Sequence, residues 1–267
     1  MDLHTTSIGG GTPRVAYLHG LLGQGKNLAT IAKMVAETDP GLLYDLPNHG
    51  RSPWDDDFGY ASMADAVAAD LRDRLGRSAA VTVVGHSMGG KTAMAMALRH
   101  PSLVRGLVVL DIAPDDSSHG YGFHRLIGAL KGLDLTAFET RADADAALAE
   151  QVREEGVRSF LLQNLHRAPG GGWRWLANLD LLERALPLIS GWPAGIRGTY
   201  DGPVLWLRGG DSGYVTEEHV PTMKALFPRA RLVTIKNAGH WLHAEQPQAV
   251  GKSLAMFLAS LRPELGR

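Results

Sequence analysis

Two kinds of apolar run alternate along the chain. Val15-Ala16-Tyr17-Leu18, Leu42-Leu43-Tyr44-Asp45, Val81-Thr82-Val83-Val84 and Gly106-Leu107-Val108-Val109-Leu110 are short and nearly continuous, and read as buried strands. Between them the apolar residues are spaced for helices. Leu28, Ile31, Ala32 and Val35 predict one over 28–37, and Met63, Val67, Leu71 and Leu75 predict another that stops at Gly76. A small-residue helical stretch follows the Val81 run, from Lys91 to His100, closed by Pro101. A strand that is apolar throughout has both faces covered. The pattern therefore implies a mostly parallel central sheet flanked by helices.

From about Asp115 to Tyr200 the rhythm changes. Strand signals are absent there, and helical patterns occur near Phe123–Lys131, Asp143–Glu155, Val157–Leu165 and Leu179–Ile189. A Gly-rich break, Pro169 to Gly172, and the aromatic pair Trp173 and Trp175 divide them. Strands resume at Pro203–Leu207 and Arg231–Ile235, and a helix over Gln248–Leu261 closes the chain. The expected architecture is a core of residues 1–114 and 201–267, with residues 115–200 as a helical cap inserted between two strands of one domain.

Composition narrows the partners. A chain of 267 residues suffices for one large α/β domain with an insertion. The formal net charge of −1 gives no reason to expect nucleic acid or an acidic membrane surface. The absence of cysteine excludes disulfides and thiol catalysis. Met1-Asp2-Leu3-His4 does not open a signal peptide, and no apolar run approaches the roughly 20 residues that span a bilayer. The expectation is a soluble cytoplasmic protein.

Gly85-His86-Ser87-Met88-Gly89 joins the Val81 strand to the helix after it. A serine on a sharp strand-to-helix turn is the context of a nucleophile elbow, which lifts the hydroxyl clear of the sheet. A Cβ at Gly85 or Gly89 would collide with the neighbouring strand or helix in so tight a bend. The hydroxyl needs a base, and His240, directly after the last strand, is the candidate. His243 would share its helical face, but no third ligand accompanies the pair, so no metal site is expected. Two carboxylates could orient the imidazole. Asp111 ends one strand and Asp211 follows the next, both at carboxyl ends where a parallel sheet assembles its site. His49, in a Pro-Asn-His-Gly turn, and His86, inside the elbow, read as supporting residues.

Taken together, His19-Gly20-Leu21-Leu22-Gly23, Asp45-Leu46-Pro47-Asn48-His49-Gly50-Arg51-Ser52, Gly85-His86-Ser87-Met88-Gly89-Gly90-Lys91, Leu110-Asp111-Ile112-Ala113-Pro114 and Ala238-Gly239-His240-Trp241 resemble the α/β-hydrolase superfamily. Within it they resemble the small serine esterase branch that includes bacterial YbfF-type esterases and eukaryotic abhydrolase relatives. The resemblance spans the chain, dense over these segments and loose across residues 115–200. It implies an α/β-hydrolase fold with the triad in the order Ser87, acid, His240. The branch's D-I-A-P segment favours Asp111, whereas Asp211 stands where the branch often has Asn and keeps the superfamily's more usual acid position open. The oxyanion donors would be the N–H groups of Met88 and Leu21, and Leu22, Tyr214 and Trp241 would line the pocket. The helices carrying Phe123, Leu126, Leu161 and Leu162 suggest an apolar acyl site. The activity implied is hydrolysis of small-molecule carboxylic esters or acyl thioesters through an acyl-enzyme, without a cofactor. An acyltransferase resolving the same intermediate with an alcohol, and a non-catalytic binding protein of the same fold, are the competing readings.

Overall fold

A computed structural model describes residues 1–76, 79–115 and 120–262. Residues 116–119, just inside the expected insertion, lie outside the described residues. Nine strands are described: β1 (Thr5–Ile8), β2 (Val15–Leu18), β3 (Gly41–Tyr44), β4 (Val81–His86), β5 (Val104–Leu110), β6 (Leu165–Arg167), β7 (Trp173–Trp175), β8 (Val204–Gly209) and β9 (Ala230–Ile235). Seven form one sheet in the order β1-β3-β2-β4-β5-β8-β9. Only β1 runs antiparallel, against β3; every other pair in this sheet is parallel.

The helices are α1 (Ala29–Lys33), α2 (Tyr60–Leu75), α3 (Met88–Arg99), α4 (Gly120–Lys131), α5 (Arg141–Ala149), α6 (Glu155–Leu162), α7 (Leu179–Arg184), α8 (Leu186–Ser190), α9 (Val220–Leu226), α10 (Leu242–Glu245) and α11 (Pro247–Ser260). Alternate residues of each central strand feed opposite cores. Val108 and Leu110 of β5 join Ile31 of α1 and Val250, Leu254 and Leu258 of α11, while Leu107 and Val109 join Val67 and Leu71 of α2 and Met94 of α3. Burying both sets is what makes the strand apolar at every position. No helix among the described residues is long and apolar enough to cross a membrane.

The segment between β5 and β8 differs in three places from the sequence pattern, one being that the helix expected over 179–189 is two, α7 and α8, which meet at Ala185. The expected helix over 143–155 ends at Ala149 and a separate helix starts at Glu155. The Gly-rich break is the turn of a hairpin, with β6 and β7 pairing antiparallel on either side of it. Both ends of this segment are pinned by one side chain. Lys91, on the first turn of α3 and 1% exposed, donates from Nζ to the carbonyls of Asp115 (2.8 Å), Ser190 (2.6 Å) and Gly191 (2.9 Å). A cation at a helix N-terminus opposes the helix dipole, and three carbonyl acceptors, two at the C-terminal end of α8, offset that.

Two glycine substitutions separate the effect of this packing from helix propensity. A Cβ on Gly89 would overlap the backbone of Leu18 and His19 at the end of β2, whereas one on Gly128, in α4, meets nothing within 4 Å. Gly89→Ala is expected to lower stability by at least about 2 kcal/mol. Gly128→Ala should raise it by about 0.5–1 kcal/mol, both read from urea unfolding midpoints.

Candidate active site

Five backbone positions around the carboxyl ends of the strands hold non-glycine residues at positive φ: Leu22 (59°), Asn48 (65°), Ser87 (53°), Asp111 (51°) and Asn237 (54°). Asn tolerates that region, but Leu, Ser and Asp are strained there by about 1–3 kcal/mol each. Their neighbours hold the strain in place. At the Ser87 turn the space a Cβ on Gly85 would need is taken by the Gly89 backbone of α3. The Ser87 N–H donates to the Leu110 carbonyl (3.1 Å), and the Asp111 N–H donates to that of Leu207 (2.8 Å). Successive strand ends are thus tied to one another.

These turns bring Ser87, His240 and Asp111 into one hydrogen-bonded line. His240 Nε2 lies 3.0 Å from Ser87 Oγ, and its Nδ1 lies 2.9 Å from Asp111 Oδ2. Asp111 is fully buried, and its Oδ1 accepts the Gly209 N–H at 2.8 Å while Oδ2 also accepts the Ser212 hydroxyl. Asp211 is exposed; its N–H donates to the Ala238 carbonyl at 2.9 Å, and its carboxylate meets no donor among the described residues. The imidazole therefore faces Asp111.

The His240 ring is held on three further sides. The Tyr214 ring stacks on that of His240, with centroids 3.7 Å apart and planes 15° from parallel. Trp241 stands 6.2 Å from the same ring and 6.1 Å from Phe160, on the cavity wall. His86 Nε2 donates to the His240 carbonyl at 2.8 Å; since a carbonyl only accepts, that nitrogen carries the proton. Burial, and then His243 and His240 nearby, keep the His86 pKa well below the ordinary histidine value. Ser212 and this backbone contact of His86 have no signature in the sequence, because neither follows from a motif spacing.

The loop after β2 is fixed in the same manner. The Leu46 N–H donates to His19 Nε2 at 3.0 Å, so the ring proton sits on Nδ1 and is given to the Gly20 carbonyl at 2.7 Å. That carbonyl also accepts the Gly23 N–H at 2.9 Å. The trans peptide between Gly20 and Leu21 is thereby held by its oxygen, and its opposite edge carries the Leu21 N–H. Among the described residues, neither the Leu21 nor the Met88 N–H donates to a protein acceptor. Leu22 differs from the sequence expectation. Its side chain is fully buried in the core and is not on the wall of the cavity, while its carbonyl accepts from Asn164 Nδ2 at 2.7 Å.

Ser87 opens onto a cavity of about 340 Å³ whose wall includes Leu21, Phe123, Phe160, His240, Trp241 and His243. Among the described residues no three His, Asp or Glu side chains gather as a metal-binding set.

The fold is that of an α/β hydrolase, and the chain belongs to that family: its alpha/beta hydrolase profile matches residues 9–252. The sn-1-specific diacylglycerol lipase ABHD11 of Mus musculus is 40% identical over 253 residues, covering 92% of this chain and 81% of that protein. Esterase YbfF of Escherichia coli (strain K12) is 35% identical over 249 residues, covering 91% and 92%. A solved marine microorganism esterase superposes with a TM-score of 0.91 at 36% identity, covering 96% of this chain and 99% of that one.

Buried neutral histidines make the fold sensitive to acid. Burial, and then His240, push His243 down to about 4; burial, and then His19, push His49 down to about 3. Both fall below the unfolded value near 6.5, so the unfolded chain binds more protons in between. Their stabilising effect is complete above about pH 6.5 and is lost as the pH falls from there toward 4 and below. Urea midpoints should drop between pH 7 and pH 4.5. His243→Phe should remove on the order of 2 kcal/mol of that drop, since Phe has no proton to take up.

Proposed function

We propose that this chain is a serine hydrolase that cleaves small-molecule carboxylic esters, and acyl thioesters by the same route, through an acyl-enzyme on Ser87. The observation that carries the reading is the 3.0 Å contact between Ser87 Oγ and His240 Nε2, in line with the 2.9 Å contact from Nδ1 to Asp111. A serine hydroxyl is a poor nucleophile until a positioned base takes its proton, and His240 supplies one. The Asp111 carboxylate holds the imidazole in the tautomer with the proton on Nδ1 and stabilises the imidazolium that follows. The carbonyl oxygen of the tetrahedral intermediate becomes an anion, and the N–H groups of Leu21 and Met88 receive it. Loss of one such donor typically costs about 10²–10³ in turnover.

Collapse of the intermediate expels the alcohol or thiol, which takes the proton from His240 Nε2. Water then repeats the sequence on the acyl-enzyme and frees the acid. The segment from residue 115 to residue 200 acts as the cap: Phe123 and Phe160 stand over Ser87 from it. Tyr214 and Trp241 screen the imidazole from solvent. The lipase and esterase names of the relatives support ester hydrolysis.

Ser87→Ala should abolish turnover of p-nitrophenyl acetate and block labelling by a fluorophosphonate, with the circular dichroism spectrum unchanged. Retained turnover would overturn the mechanism, and failure of the folded wild-type protein to label would favour a non-catalytic binding protein. Asp111→Asn should lower kcat by around 10⁴, the size of loss found when a triad acid is replaced, and Asp211→Asn by far less. The opposite ranking would move the acid to Asp211.

A further inference from the structure

We propose that the enzyme is selective for esters of a short acyl group with a bulky apolar alcohol, the acyl chain entering the smaller of two spaces at Ser87. This rests on the serine-hydrolase reading and assigns the two sides of that site. Ser87 borders two spaces of very different size. The outer one, about 340 Å³, has His240, Trp241 and Phe160 on its wall. The inner one, about 30 Å³, lies between Ser87 and Met88 on one side and Tyr60, Ile112 and Ile189 on the other, and His240 is not on its wall. Leu21 and Phe123 border both.

The chemistry decides which half of the ester enters which space. When the tetrahedral intermediate collapses, the bond from the carbonyl carbon to the alcohol oxygen breaks while the bond to Ser87 Oγ stays. The departing oxygen takes up the proton on His240 Nε2, so it must lie within hydrogen-bond reach of that nitrogen. The alcohol therefore extends along the wall that carries His240, into the outer cavity. The anionic oxygen points to the Leu21 and Met88 amides. The acyl substituent is left with the remaining direction, toward the inner space. At about 30 Å³ against about 340 Å³, the inner space is about a tenth of the outer one and takes a short acyl chain rather than a long one.

The inner space is limited by hydrogen bonds as well as by packing. Its far wall is the C-terminal end of α8. The Tyr60 hydroxyl, 2% exposed, donates to the Ile189 carbonyl at 2.6 Å, and Lys91 Nζ donates to the next two carbonyls, those of Ser190 and Gly191. Three consecutive carbonyls of the wall are thus held by side chains rooted in α2 and α3. Widening the space by moving α8 would break buried hydrogen bonds, one set of them to a charged donor. The outer cavity has a different boundary, formed by α6 and the loop before it, where Glu154, Val157 and Phe160 reach its edge.

Two ester series on the intact chain test the assignment. With p-nitrophenol as the constant leaving group, kcat/KM should fall about ten-fold or more from acetate to butyrate, and further to octanoate, as methylenes meet a filled pocket. With acetate as the constant acyl group, kcat/KM should rise from ethyl to hexyl ester. Ile189→Ala should raise the butyrate-to-acetate ratio at least five-fold, and Ile189→Val should move it in the same direction should the alanine variant fold poorly. Octanoate cleaved as well as acetate by a Ser87-dependent reaction would overturn the assignment and leave the hydrolase reading intact. An enzyme that cleaves no ester and whose Ser87 takes no fluorophosphonate would overturn both.

Discussion

A carboxylate with no exposed surface costs several kcal/mol to bury unless its oxygens are occupied, and at Asp111 this requirement connects the rest of the site. Its three donors come from three places: the Gly209 amide at the end of β8, the Ser212 hydroxyl in the turn beyond, and His240 after β9. They converge only if β5, β8 and β9 lie side by side in parallel with their carboxyl ends level. The sheet order provides that. The positive φ of Asp111 turns the chain so that the carboxylate stays among these donors, and the strain is offset by the bonds it permits. A serine and a histidine 153 positions apart in sequence then meet as a by-product of satisfying one buried charge.

The central strands were legible because a doubly covered parallel strand leaves an unbroken apolar run. The same reasoning explains what was not legible. β1, Thr5-Thr6-Ser7-Ile8, sits at the sheet edge with two of its four residues exposed, so it needs no apolar run and shows none. The strands β6 and β7 are three residues each, with only Leu165 fully buried, too short for any period to register. Helical spacing continued through residues 150–154 although the helix does not, since apolar periodicity reports which face is buried and not whether the backbone turns.

In the site, the elbow and the histidine after the last strand carry local signals that spacing can reveal. The choice between Asp111 and Asp211 does not. Both follow strand ends, and the difference is the direction of a side chain, fixed by a positive φ at one and by a bond to the Ala238 carbonyl at the other. Ser212, Asn164 and Lys91 have no such signal for a related reason: Ser212 reaches Asp111 across 101 positions, Asn164 reaches Leu22 across 142 and Lys91 reaches Ser190 across 99, spans that no window of sequence contains.

The ammonium of Lys91 has a consequence for how this architecture can vary. It grips the chain where it leaves the sheet layer at Asp115 and again where it returns at Ser190 and Gly191, from a helix that begins at the residue after Ser87. Between those two anchor points the chain also meets the site directly, with Asn164 holding the Leu22 carbonyl and Phe123 bordering the space at Ser87. A chimera therefore has to keep the two junctions grasped by this lysine together with the Asn164 contact that steadies the loop after β2.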